Sequence, residues 1–335
     1  MGIVHFLNVK NGDCSIIQHP SGHVTVIDVC NARKHKDKHI NISELITNLN
    51  KNATSHQKSN PTNPITYIKQ HGIKEIFRFI LTHPDMDHMD GIKDFFDEFH
   101  PTNFWDIKNK SVKSNWSNGP YREEDWQFYC SLRDGNTNSS IKRLNLYAGA
   151  QGQFFNQDQN GKNGADGLYV LAPTQELVNH ANVSDDYNDA SYVILYRSNA
   201  GRILFTGDSH DKTWAHLLAN HHNDIADIDV LIAPHHGRDS DRSYDFLDVV
   251  RPKLTLFGNA PSEHLGYGAW SRRGLKLITN NQGGDIIIDT NGTGMNIYVT
   301  SENYAKQQNA NTYYSSDLHA YYLGYLHART PQFTE

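Results

Sequence analysis

Apolar residues come in short bursts along most of this chain, and the bursts end on turn-forming residues. Residues 3–9 and 13–18 are two such bursts with Gly12 between them, and 23–29 follow a Pro20-Ser21-Gly22 turn. Three short strands joined by tight turns therefore open the chain. Residues 64–72 read as a short helix. Residues 76–82 form the continuous apolar run of a buried strand, and 91–99 then place apolar residues at 92, 95, 96 and 99, one face of a helix. Beyond these, 168–173 reads as a strand, 191–198 with 201–208 as a hairpin, and 212–221 as a helix. A strand over 229–237, a helix over 243–252 and a strand over 253–259 follow. The hairpin at 284–300 turns at Asn291-Gly292. Helices set between strands predict an α/β chain with mixed sheets and helices on the outer faces.

Three stretches depart from this pattern. Residues 31–62 are polar, with a basic run Arg33-Lys34-His35-Lys36 and a helical turn or two at 42–49, and read as a loop or insertion. Residues from about 100 to 165 are rich in Asn, Gly, Ser and aromatics, with one helix at 121–133, and read as an insertion that could form a lid. Residues 301–335 form a Tyr-rich C-terminal extension, expected to pack on the body (1–300) or on a partner. The aromatics Trp105, Trp116, Tyr121, Trp126 and Tyr129 either stack bases or make a hydrophobic cluster under the insertion. The basic run is a solvated loop or a contact to nucleic-acid backbone.

Composition narrows the function. The chain has 335 residues, 37% of them hydrophobic and a formal charge of -6, so no global basic field draws it to nucleic acid or membrane. Three Cys at unrelated spacings exclude a disulfide framework and suit a reducing compartment. The N-terminus has no basic, then apolar, signal segment, and no apolar stretch reaches membrane-spanning length. A cytoplasmic protein without a membrane partner is the expectation. The outlier is histidine, with 20 residues, and the positions of those residues carry the chemistry.

His83-x-Asp85-x-Asp87-His88 lies between a buried strand and a helix, four potential ligands within six residues. Imidazole and carboxylate together suit divalent ions. The plainer alternative is a polar loop capping a helix, with Asp87 or Asp90 at its N-cap. Thr206-Gly207-Asp208, Pro234-His235-His236-Gly237 and Gly258-Asn259 with His264 each end another strand. Any one alone is a weak signal; four strand ends on one sheet edge make one site.

With these motifs in order, the chain resembles the metallo-β-lactamase superfamily, and most of all the nuclease-type branch found in ComEC DNA-uptake proteins. The opening His5-Phe6-Leu7-Asn8-Val9-Lys10-Asn11-Gly12-Asp13-Cys14, then Pro20-Ser21-Gly22 with Val26-Ile27-Asp28, match that branch. So do His83 through Gly91, then Asn188, Asp189 and Ser191 with Ile203 through Asp208, and Leu231 through Gly237. Asn259 and His264 approximate a final motif. The resemblance covers roughly residues 1–300. It implies a four-layer αββα sandwich with a dinuclear site on one edge. His83 and Asp85 would hold one metal, Asp87 and His88 the second, and Asp208 would bridge them. His235 would complete the second metal, with His236 the lesser choice. Asp28 would be structural or would fix the motif loop from behind. Asn188 would stand where the superfamily usually has a third His. His264 would lie near the leaving group or a substrate phosphate.

Departures refine this expectation. Asp85 replaces the superfamily's second His, a harder ligand that shifts the choice from Zn²⁺ towards Mn²⁺ or Mg²⁺. Arg238 replaces the usual Ser after His-His-Gly, where it either clamps a phosphate or is simply solvated. Two divalent ions, Mn²⁺ or Zn²⁺ with Mg²⁺ also compatible, would activate a water. Asp85 or Asp87 could take its proton, and His264 or His236 could protonate the leaving oxygen. The expected activity is phosphodiester hydrolysis, on nucleic acid or a nucleotide. The rivals are a carbon-ester, thioester or lactone hydrolase on the same fold and a metal-bound, non-catalytic interaction subunit docking a protein through the insertion or the C-terminal extension.

Overall fold

The computed structural model describes residues 2–34, 56–117, 119–137, 140–260 and 264–329. His35 and Lys36 of the basic run and the helical turn expected at 42–49 lie outside them. The chain forms two mixed sheets. Strands β1 (Ile3–Phe6), β2 (Ser15–Gln18), β3 (Val24–Ile27), β4 (Arg78–Ile80), β5 (Asn103–Trp105) and β6 (Lys142–Leu144) run in that order from the middle of the first sheet to one edge. Strands β7 (Leu168–Ala172), β8 (Val193–Ser198), β9 (Gly201–Phe205), β10 (Val230–Ile232), β11 (Leu254–Phe257) and β12 (Leu277–Thr279) make the second sheet. Strands β13 (Ile286–Asp289), β14 (Gly294–Val299), β15 (Tyr314–Ser315) and β16 (Ala320–His327) return to the first sheet, in the order β15-β16-β14-β13-β1.

The period of two along each strand sorts its side chains between faces. Val4, Phe6, Ile17, Ile27, Ile80 and Ile286 face Ile194, Tyr196, Ile203, Phe205, Val230 and Ile232 across the gap between the sheets. The alternate residues Leu7, Ile16, Val26 and Phe79 pack outward against helices α1 (Pro64–Gln70), α2 (Ile92–Phe99) and α3 (Glu123–Asp134). On the far side Leu195, Leu204 and Leu231 cover α4 (Asp211–Asn220), α5 (Leu247–Val250) and α6 (Tyr267–Ser271). The layers are thus α, β, β, α, the order expected. Helix α2 buries Ile92, Phe95, Phe96 and Phe99, the residues its spacing singled out. It starts at Gly91, whose φ of 88° and a neighbour only 2.4 Å from any added Cβ leave no room for a side chain.

The stretch from 100 to 165 differs from the expected lid. Asn103–Trp105 and Lys142–Leu144 extend the first sheet in parallel with β4. The first of these strands is buried throughout and the second is largely exposed, and three residues are too few to show an alternation. Arg78 locks the end of this stretch down: its guanidinium meets Asp166 Oδ2 at 3.1 Å and donates to Thr25 Oγ1 at 2.7 Å, and all three residues are buried. Trp105, Trp126 and Tyr129 are core residues here, which removes them as base-stacking candidates. The Tyr-rich segment also continues the body, because β16 pairs along the whole of β14. Tyr313 and Tyr322 stack at 5.1 Å. The helix expected over 243–252 shortens to Leu247–Val250. No helix among the described residues is long and apolar enough to cross a membrane. The three cysteines are free thiols.

Candidate metal centre

Parallel strands put their carboxyl ends on one rim. Strands β3 and β4 pair in parallel and run out into Asp28 and into Thr82-His83. Strands β9, β10 and β11 do the same in the second sheet, running out into Thr206–Asp208, Ala233–Gly237 and Gly258-Asn259. Polar residues at such ends converge in the crevice beyond the sheet. Asp208 is where the two rims meet, and it is buried.

Four imidazoles point at it. The Nε2 of His88 lies 3.1 Å from Asp208 Oδ1; those of His235, His83 and His236 lie 3.5, 3.8 and 3.8 Å from Oδ2. An oxygen stands behind the opposite nitrogen of each ring. His88 Nδ1 donates to Asp28 Oδ2 at 2.8 Å, and His236 Nδ1 sits 3.0 Å from Asp13 Oδ1. His83 Nδ1 is 3.1 Å from Thr82 Oγ1, and His235 Nδ1 is 2.9 Å from Ser240 Oγ. Pinning Nδ1 in this way fixes the tautomer that offers Nε2 as a ligand. Two carboxylates complete the ring of donors: Asp85 Oδ2 lies 3.5 Å from His83 Nε2, and Asp87 Oδ2 lies 3.4 Å from His236 Nε2.

The donors fall into two groups that share Asp208. Ligand atoms of Asp87, His88, Asp208 and His236 all lie within 4.8 Å of one another. His83 and His235 approach Asp208 through its Oδ2, and Asp85 adjoins His83. The sequence reading set His235 beside Asp87 and His88, with His236 the lesser choice; the geometry sets His236 there instead. The cause is backbone. His235 and His236 both have positive φ, 53° and 58°, so successive side chains diverge, one outward and one under the loop. His236 is buried and His235 is half-buried.

The Nε2 atoms of His83, His88 and His236 and Oδ1 of Asp208 are buried with no hydrogen-bond partner. Buried polar atoms without partners are costly, and these face one another across a common space. Divalent cations held by these donors would satisfy them, so the donor set fits a metal on its own chemistry.

Charge follows the same division. Burial works against the charged form of His88, yet Asp208 and Asp28 hold it well above the usual imidazole range. His236 is pushed up to about 10: burial opposes, and Asp13 and Asp208 prevail. His235 is pushed down to about 3 by burial, against the pull of Asp208. Burial would raise the Asp208 carboxyl, but His88, His236, His235 and His83 hold it well below the ordinary value.

The remaining expected residues take these places. Asp28 is buried with φ 57° and accepts from Thr82 N at 2.7 Å and Thr82 Oγ1 at 2.7 Å as well as from His88. Asn259 donates to Asn8 Oδ1 at 2.8 Å and to Val9 O at 2.5 Å, so it ties the Asp13 loop to the end of β11. That loop needs Gly12, where a Cβ would stand 2.1 Å from the Asp87 carbonyl. Arg238 follows the His pair and bridges to Leu265. His264 is exposed, and its carbonyl accepts from Asp239 N at 2.5 Å. Asn188 opens the turn Asn188–Ala190, and its backbone N–H donates to Asp186 Oδ1 at 3.1 Å.

Sequence reasoning assigned no role to five residues that shape the site. Asp13 and Thr82 adjoin quoted motifs, and their positions were the available signal. Ser240 and Arg242, whose guanidinium donates to Ser240 Oγ at 3.3 Å and to Ser209 O at 2.8 Å, left none. Nor did Lys113, which reaches Asp85 Oδ1 at 2.9 Å.

No protein-family model matches the sequence, and no curated protein matches it. Solved structures are similar in chain path. One is Igni18, a metallo hydrolase from the archaeon Ignicoccus hospitalis, at 12% identity over 86% of this chain and 99% of that one, with a TM-score of 0.46. A diphosphatase of the PhnP family shares 11% identity over 84% and 96%, TM-score 0.42. An isothiocyanate hydrolase from Delia radicum gut bacteria shares 14% over 84% and 98%, TM-score 0.44. At such identities the likeness is one of chain path, and no residue role is transferred from it.

Proposed function

We propose that this chain is a metal-dependent hydrolase of the metallo-β-lactamase type, acting on phosphodiesters. The observation behind this reading is the convergence of four imidazoles on one buried carboxylate, with three of the four facing nitrogens buried and unpartnered. His83, Asp85, His235 and Asp208 would hold one ion; Asp87, His88, His236 and Asp208 would hold the other. Bound divalent ions acidify a water and neutralise charge on phosphoryl oxygens. The carboxylates supply hard oxygen ligands, which favours Mn²⁺, with Zn²⁺ and Mg²⁺ as alternatives.

The chain's own groups do the rest. Asp85 or Asp87 would take the proton from that water. His236 is buried and would be held among the metal ligands, so the exposed His264 is the proton donor proposed. Lys113 and Arg238 bring positive charge to the rim, which suits an anionic phosphodiester over a neutral carbon ester. A nucleic acid or a nucleotide is the substrate class proposed, in line with the resemblance to ComEC proteins. The exposed Tyr313, Tyr314 and Tyr325, on and beside the C-terminal strands, are the surface proposed for a protein partner.

The test is hydrolysis of bis-p-nitrophenyl phosphate, single-stranded DNA and duplex DNA with Mn²⁺, Zn²⁺ or Mg²⁺ added. Asp208→Ala and His83→Ala should abolish cleavage. A folded protein that holds metal, cleaves a carbon ester and leaves every phosphodiester intact would overturn the substrate class.

A further inference from the structure

The two groups of donors are backed by unlike chemistry. In the inner group, His88 and His236 each have a carboxylate behind the ring, Asp28 at 2.8 Å and Asp13 at 3.0 Å. Both rings are buried. A carboxylate behind an imidazole makes it a stronger donor to a metal. In the outer group the corresponding partners are neutral hydroxyls, Thr82 Oγ1 at 3.1 Å and Ser240 Oγ at 2.9 Å. Ser240 also accepts from the Arg242 guanidinium at 3.3 Å, which places a cation behind His235. The outer carboxylate is weakened as well. Asp85 turns Oδ2 towards His83 but gives Oδ1 to Lys113 at 2.9 Å. Lys113 comes from the 100–165 stretch, lies over the Trp126 ring at 5.6 Å and is partly exposed. Positive charge this close repels a divalent ion and draws electron density from its ligand.

We propose, building on the metal-hydrolase reading, that the two metal sites are unequal and fill in order: the inner site (Asp87, His88, His236, Asp208) binds first and tightly, and the outer site (His83, Asp85, His235, Asp208) binds weakly and exchanges, with Lys113 setting its affinity through Asp85. Lys113 is a positioning residue for Asp85. The division of labour leaves one ion as a fixed part of the fold. Occupancy of the other then tracks the free metal concentration.

The test is a Mn²⁺ titration of the full-length, chelator-stripped protein by calorimetry, with electron paramagnetic resonance to detect spin coupling between neighbouring ions. Two steps are expected, with coupling that appears only during the second. Asp13→Asn should weaken the first step by roughly 10–100-fold and leave wild-type activity out of reach at low metal. Lys113→Met should tighten the second step by about two- to fivefold, the scale of a partly exposed ion pair, and leave the first unmoved. Because Lys113 is on the surface, its variant decides the matter alone should Asp13→Asn fail to fold. Two equivalents bound in a single step, or a Lys113→Met protein whose first step moves and second does not, overturns the proposal while leaving the hydrolase reading standing. A wild-type protein that binds no metal overturns both.

Discussion

Replacing Asp28 with asparagine changes one buried oxygen to an NH₂ group and keeps the shape. The wild-type carboxylate accepts three bonds, from Thr82 N and Thr82 Oγ1 at 2.7 Å each and from His88 Nδ1 at 2.8 Å. The amide oxygen can still accept from Thr82 N. Its NH₂ then faces the Thr82 hydroxyl, which can rotate, and the His88 Nδ1–H, which cannot. Two responses are open to the ring. It can leave a buried N–H unsatisfied, costing about 1–3 kcal/mol of fold stability. Otherwise the proton moves to Nε2, the nitrogen 3.1 Å from Asp208, and the ring ceases to be a ligand. Both responses reduce metal affinity, by about 10–100-fold on the scale of changes to a residue behind a metal-ligating His. The assay is competition of Asp28→Asn and wild-type protein against a fluorescent chelator, paired with urea unfolding of the metal-free proteins. Metal affinity and metal-free stability both equal to wild type would refute the reasoning, because it would show that the Asp28–His88 contact fixes neither the tautomer nor the loop.

Three further outcomes follow from other parts of the structure. Gly12→Ala puts a Cβ 2.1 Å from the Asp87 carbonyl and 2.9 Å from Cys30 Sγ at a φ of 148°, so it should lower stability by about 1–3 kcal/mol and weaken metal binding, read by thermal melting and chelator competition. His5 is buried between Tyr67 Oη at 2.9 Å and Gln18 Nε2 at 2.8 Å, and burial, helped by His71, pushes its pKa down to about 3. The unfolded chain takes up that proton near pH 6.5 and the folded chain does not, so stability should be full above about 6.5 and fall as pH drops towards 3, by up to about 1.4 kcal/mol per unit. His5→Gln should flatten that part of the urea-unfolding profile, and an unchanged slope would count against it. Stripping the metal should lower the melting temperature, since an ion at 100 times its dissociation constant adds about 2.7 kcal/mol, and restoring it should reverse the change.

How far the sequence reaches depends on whether a feature is local. The HxDxDH loop, the Thr206–Asp208 turn and the His-His-Gly turn are each written in consecutive residues that follow an apolar strand. Strands in parallel pairs then carry all three to the same rim, so the donors were legible as a set. Their pairing was not. Whether His235 or His236 joins Asp87 turns on two successive positive φ angles, 53° and 58°, in a loop whose residues show no glycine at those positions to announce them. The partners behind the rings were legible only in part. Asp28 ends a strand next to the motif loop, whereas Asp13 is placed by a loop that Asn259, about 250 residues away in sequence, grips at the Asn8 side chain and the Val9 carbonyl. Ser240 and Lys113 sit in polar stretches with no periodicity, where any Ser or Lys reads as solvated. Those are also the residues that make the outer donors differ from the inner ones. The ligands are therefore recoverable from short motifs, but the tuning of each ligand comes from long-range contacts. On the proposal of two unequal sites, a chain with the same motifs and a different residue at 113 or 240 would read identically and bind its second ion with a different affinity.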